Sequence, residues 1–138
     1  MTTRFHFAFF VRDLDATRRF YGEALGCAEG RSTDAWVDFD FFGHQISCHN
    51  TGAPMPTVNT GKVDGIAVPM PHFGAVLGWD LFEQVAARIR NAGVAFIIEP
   101  RDRYVGQPGE QRTMFLVDPS GNALEFKAFK HPEHIFTA

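Results

Sequence analysis

The chain has 138 residues, fifteen phenylalanines and a net charge of −3. That length suits about one domain, with core enough to fold without a disulfide or structural metal, and the charge excludes a broad nucleic-acid footprint. Two isolated cysteines, Cys27 and Cys48, and an apolar N-terminal run fenced by Arg4 and Arg12, too short for a membrane span and unlike a signal peptide, point to a soluble cytoplasmic protein.

The first predicted strand opens at His6, with His6, Ala8 and Phe10 on one face and Phe5, Phe7, Phe9 and Val11 on the other. A helix starting near Asp13 or Asp15 follows, showing Thr17, Phe20, Tyr21 and Ala24 to the core and ending at Gly26. The alternation Val37-Asp38-Phe39-Asp40-Phe41 then marks a strand, and "GHQISCHN" the next. Residues from about 51 to 70, rich in Gly, Pro and Thr, read as a connector with a short strand at 65–68.

A second strand opens at His72. Its helix is expected to use Asp80 as N-cap and Glu83 as capping-box partner, to bury Phe82, Val85, Ala86 and Ile89, and to end at Gly93. "VAFIIEP" and "RTMFLVDPSGNALEFKAF" supply the later strands. The polar stretch 101–111, with Tyr104 and Gln107, is expected to overhang a pocket as a lid. The tail from His131 is expected to be loosely held, with His131 and His134 exposed.

"HFAFFVRDLDATRRFYGEALGC" and "HFGAVLGWDLFEQVAARIRNAGV" are alike: each begins His-Phe and runs through a strand and a helix to a glycine. Such self-similarity indicates two copies of one supersecondary unit, each a strand, a helix and about three strands. The fold class is therefore α+β, in one domain: a module over about 4–50, the connector, and a second module over about 71–130. Aligning the turn glycines Gly43 and Gly121 pairs Ser47 with Glu125. His6, His72 and Glu125 thus occupy repeat-related positions on faces turned away from the helices. Two imidazoles and one carboxylate, with open positions, suit a non-haem Fe(II) ion. Cys48 is expected to pack rather than react.

At these residues the chain resembles the vicinal oxygen chelate superfamily: glyoxalase I, extradiol dioxygenases, fosfomycin-resistance transferases and bleomycin-resistance proteins. The resemblance covers residues 4 to 129 and rests on "HFAFFVRDLDATRRFYGEALG", "PHFGAVL" and "FLVDPSGNALEFKAF". It implies two tandem βαβββ modules whose curved sheets form a cleft or barrel around one divalent metal, held here by His6, His72 and Glu125. Fe(II) heads the expected metals, with Mn(II), Zn(II) or Ni(II) as alternatives. Glyoxalases usually place a fourth donor where this chain has Ser47, so three ligands look more like an extradiol-type dioxygenase acting on a small bidentate oxygen substrate. The resemblance further implies His44 as acid–base catalyst and Phe115 where many dioxygenases carry a tyrosine. Arg112 and Lys127, near Glu125 in sequence, and Tyr104 and His49 join Phe115 as expected substrate contacts, and the expected assembly is a homodimer. A glyoxalase-like lyase or isomerase, a fosfomycin-type transferase and a metal-free bleomycin-resistance-like binding protein remain open alternatives.

Overall fold

The computed structural model describes residues 2–56 and 59–137. The chain forms two compact units, one from its N-terminal part together with the turn Asp118–Asn122, the other from the later strands and the C-terminal tail.

In the first unit β1 (His6–Val11) leads into α1 (Leu14–Thr17), which continues as a π-helical segment over Arg18–Ala24. Three strands follow, β2 (Ala28–Ser32), β3 (Trp36–Phe41) and β4 (His44–Asn50). Asp13 starts the helix, its Oδ1 accepting the Ala16 N–H at 3.0 Å. The wider π turn is closed by Leu25 N–H donating to Phe20 O. It presents Phe20, Tyr21 and Ala24 to the core as expected. The sheet order is β1-β4-β3-β2, with β1 parallel to β4 and the other pairs antiparallel. Val37, Phe39 and Phe41 of β3 face the helix, with the Tyr21 ring packed at tilted and edge-on angles among Phe9, Phe20, Phe39 and Phe41. Burying an aromatic side chain of this kind contributes about 1.5–3 kcal/mol. Trp36, Asp38 and Asp40 are left on the opposite face.

The second unit repeats this plan with β7 (His72–Leu77), α2 (Trp79–Asn91), β8 (Phe96–Arg103), β9 (Gln111–Val117) and β10 (Ala123–Phe129), in the order β7-β10-β9-β8. Two βαβββ modules are therefore present, and within each the four-stranded sheet is open, with β1 and β2 or β7 and β8 as its edges. Phe82, Val85, Ala86 and Ile89 are the buried face of α2, against β10. Its start differs from expectation. Gly78 is the N-cap residue, its carbonyl accepting from Phe82 N–H, Asp80 lies in the first turn, and Glu83 is bonded to Arg112 instead of closing a capping box. Gly26 and Gly93 end the helices at φ 78° and 73°, a left-handed geometry that suits glycine.

The connector holds more order than expected. It forms a hairpin, β5 (Asn59–Val63) and β6 (Ile66–Met70), around Asp64-Gly65, both at positive φ. Asp-Gly between strands is a type I′ hairpin signal. Asp64 anchors the tip through Arg103 Nε at 2.9 Å. Val68 of β6 packs with Ile98 and Phe115. The tail forms a short 3-10 helix, Pro132–Phe136, in which His134 Nδ1 accepts the Gly109 N–H and is half-buried, while His131 is exposed.

Candidate functional site

In the second unit β7 and β10 run parallel, with His72 beside Ala123 and Gly74 beside Glu125. The close approach of the two strands at this point needs glycine at 74: a Cβ there would lie 1.6 Å from the Glu125 carbonyl oxygen. Glu125 therefore stands next to His72 on the face opposite α2, while Leu124 and Phe126 are buried on the helix side.

Side-chain chemistry settles how His72 presents itself. Its Nδ1 lies 3.1 Å from the Pro69 carbonyl oxygen. A carbonyl only accepts, so Nδ1 carries a proton, and in the neutral ring the lone pair is on Nε2. That lone pair faces Glu125 Oε1 at 3.3 Å. Thr113 donates to the other carboxylate oxygen, Oε2, at 2.6 Å. Two electron-pair donors turned toward each other are mutually unfavourable unless a cation, metal or proton, lies with them. The donor set fits a divalent ion: imidazole and carboxylate bind Fe, Mn, Zn or Ni, and a carbonyl behind the imidazole is the usual means of orienting it. Lys127 Nζ lies 3.8 Å from Glu125 Oε1. Phe115 meets the His72 ring edge-on at 5.0 Å. His72, Gly74, Val76, Glu125 and Lys127 line a cleft of about 230 Å³.

The first unit carries the matching positions. Ala8 lies beside Ser47 as Gly74 lies beside Glu125, so the repeat alignment of Ser47 with Glu125 holds in the strand register. Ser47 is not a free donor: its hydroxyl donates to Asp38 Oδ1. His6 Nδ1 lies 2.9 Å from Gln45 Oε1. His44 has the opposite tautomer to His72, because its Nδ1 accepts the Phe5 N–H at 2.9 Å and Nε2 carries the proton. Arg4, His6, His44, Asp38, Asp40 and Gln45 line a cleft of about 400 Å³.

Among the described residues, no three His, Cys, Asp or Glu side chains are gathered as a metal-binding group. Of the expected ligands, the fold makes neighbours of His72 and Glu125, and His6 belongs to the sheet of the first unit. Lys127 is placed at the pair. Phe115 is there too, but fully buried under Val68 and Ile98, so it is a wall behind His72 rather than a surface open to substrate. Arg112 is corrected: it alternates with Thr113 and Phe115, so it lies on the α2 side. There its guanidinium stacks 3.8 Å over Trp79 and pairs with Glu83 and Asp102. Tyr104 also departs from expectation, its hydroxyl accepting from Arg103 at 3.0 Å and its side chain outside the His72 cleft. His49 sits against Trp36. Sequence reasoning missed Asp38 and Thr113. The alternation through β3 already carried the signal for Asp38, since it sets that carboxylate on the open face.

The sequence profile of the glyoxalase/bleomycin resistance protein/dioxygenase superfamily matches residues 4–126. The chain belongs to that superfamily. Its members are mostly enzymes, with some binding proteins, and typically bind a divalent metal. A solved glyoxalase/bleomycin resistance protein/dioxygenase from Alicyclobacillus acidocaldarius is 30% identical, at TM-score 0.80, over 97% of this chain and 96% of that one. The fold is shared with the fosfomycin resistance protein FosX of Listeria monocytogenes (18% identity, TM-score 0.71, coverage 98% and 99%). It is also shared with a virulence protein of Salmonella typhimurium (23%, 0.63, coverage 94% and 98%). None of the curated proteins compared with the chain matches it. Among the described residues, no helix is long and apolar enough to cross a membrane.

Proposed function

We propose that the protein is a metal-dependent enzyme of the extradiol-dioxygenase type, acting on a small substrate with two adjacent oxygen donors. The carrying observation is the facing pair of His72 Nε2 and Glu125 Oε1, 3.3 Å apart, with each residue's other polar atom already bonded. His6, the repeat partner of His72, is the proposed third ligand, and its Nδ1 likewise meets an acceptor. When bound, Fe(II) would supply Lewis-acid and redox chemistry.

The chain's own residues have separate tasks in this reading. His72 and Glu125 hold the ion, and Thr113 keeps the carboxylate turned toward it. Lys127 attracts an anionic oxygen of the substrate. His44, with a proton on Nε2 in its cleft, is the proposed proton donor. Because the Ser47 hydroxyl is committed to Asp38, no fourth ligand comes from that position, which supports an open centre over a glyoxalase-type one. A cytoplasmic setting accords with the buried thiols of Cys27 and Cys48, which form no disulfide. The proposed assembly is a homodimer, supported by edge strands β1 and β7, which expose Phe10 and Val76.

Metal analysis of protein purified without added metal tests the centre. Stoichiometric metal in the wild type and none in Glu125→Ala is expected. Full metal in Glu125→Ala, or a His72 imidazolium paired with Glu125 in protein unable to take up metal, would overturn it. Oxygen uptake by anaerobically iron-loaded protein given catechols or related diols tests the reaction. No uptake, with turnover of a hemithioacetal or of fosfomycin instead, would move the protein to another branch.

A further inference from the structure

The open face of the first unit carries a polar chain that spans three strands. Asp38 on β3 is only 9% exposed. Its Oδ1 accepts from Ser47 Oγ at 2.5 Å, and its Oδ2 accepts from Gln45 Nε2 at 3.1 Å. Gln45 Oε1 in turn lies 2.9 Å from His6 Nδ1. The strand register sets these contacts, since Asp38 lies beside Ser47 and Gln45 beside His6.

The direction of the chain follows from donor counting. A carboxylate accepts and never donates, so Asp38 decides which end of the Gln45 amide faces it. The NH₂ end must, which leaves the amide oxygen toward His6. That oxygen also only accepts, so the His6 proton belongs on Nδ1 and Nε2 is bare. At His72 a fixed backbone carbonyl, that of Pro69, does the same work. In the second unit Phe115 stands beside Glu125 as Asp38 stands beside Ser47, so this side-chain relay is peculiar to the first unit.

We propose that Asp38, Ser47 and Gln45 form a positioning relay that holds His6 with its proton on Nδ1 and its Nε2 lone pair bare. The relay's value to a metal centre rests on the reading of His6 as a ligand; the tautomer itself does not. None of the three relay residues is asked to touch metal or substrate.

The test uses metal-free, full-length protein with ¹⁵N-labelled histidine, at a pH where the rings are neutral, with His6 assigned by its loss in His6→Ala. Wild-type protein is expected to show His6 protonated at Nδ1, and Gln45→Leu to lose that preference. The double variant Asp38→Asn, Gln45→Glu exchanges donor and acceptor along the same chain at constant charge. The new amide at position 38 would donate to the new carboxylate at position 45, which still accepts from His6, so the wild-type signature should return. Protonation of wild-type His6 at Nε2, or an unchanged signature in folded Gln45→Leu, overturns the relay. The wild-type spectrum decides even if a variant fails to fold. Mn(II) titration adds an independent readout. Affinity is expected to fall about 10–100-fold in Gln45→Leu and to recover in the double variant. Unchanged affinity despite an altered tautomer, or no Mn(II) binding by the wild type, removes His6 from the ligand set and leaves the relay to be judged on its tautomer alone.

Discussion

Tyr21 on the first helical segment donates its hydroxyl to Asp118 Oδ2 at 2.8 Å, a buried hydrogen bond between residues 97 apart in sequence. Asp118 also receives the N–H groups of Ser120 and Asn122 and the Asn122 side-chain amide, which folds the "DPSGN" turn around one carboxylate. The turn is fixed to β1 by Asn122 Nδ2 donating to Phe10 O and to the strand's exit by Arg12 N–H donating to Ser120 Oγ. A motif that reads as a local reverse turn is thus a tertiary clasp of the first unit. Tyr21→Phe should cost about 1.5–3 kcal/mol, the contribution of one hydrogen bond to a charged acceptor, with Asp118 Oδ2 keeping its bond from Asn122 Nδ2; urea unfolding measures it.

Burial raises the Asp118 carboxyl above its ordinary value of 3.8 in spite of the hydrogen bonds from Asn122, Tyr21 and Ser120. The folded chain therefore binds that proton more tightly than the unfolded chain does. Its contribution to stability is largest below the ordinary value and is lost as pH rises through the raised one. The stability advantage of wild type over Asp118→Asn should accordingly narrow as pH climbs above about 4, followed by denaturant unfolding at several pH values.

Glu110 has the opposite sign. The Gly106 N–H, at 2.8 Å, and Lys130 hold its carboxyl below the ordinary 4.5. Its contribution is present above that value and disappears as pH falls through the lowered one. Glu110→Gln should destabilise the protein at neutral pH and have no effect in strong acid, where both chains carry a neutral side chain; thermal unfolding across pH checks this.

Gly74→Ala should separate β7 from β10, because the new methyl would meet the Glu125 backbone and not a yielding side chain. Overpacking of this kind costs about 1–3 kcal/mol or more. Metal stoichiometry should fall with stability, since the same displacement moves Glu125 away from His72.

Thr113→Val keeps the shape of the side chain and removes the donor to Glu125 Oε2. Metal affinity should drop about 10–100-fold, read by titration with Mn(II), while circular dichroism stays that of the wild type.

Arg112→Leu should change stability, by about 1–2 kcal/mol for the lost stacking on Trp79 and the pairs with Glu83 and Asp102, and leave the substrate KM unaltered. A raised KM with unchanged stability would return Arg112 to the substrate.

Much of the fold was legible because strands and helices announce themselves by period. Val37, Phe39 and Phe41 alternate, Phe82, Val85, Ala86 and Ile89 recur at helical spacing, and the two halves repeat the pattern. Of the β5–β6 hairpin only a short strand at 65–68 was read, and β5 was not, because Asp64-Gly65 lies among prolines and glycines that look like linker. Arg112 was misplaced because closeness in sequence to Glu125 says nothing about which side of a sheet a residue takes; the β9 alternation does.

By itself the sequence determined the repeat, the two opening histidines, and the pairing of Ser47 with Glu125, since these depend only on order and spacing along one chain. Tertiary structure alone decided which atoms of those residues are free. A histidine's tautomer is set by what faces its Nδ1, and the answers came from distant or unforeseen partners: the Pro69 carbonyl for His72, the Phe5 N–H for His44, and Gln45, steadied by Asp38, for His6. Donor and acceptor rules are local chemistry, but the folded backbone chooses who meets whom.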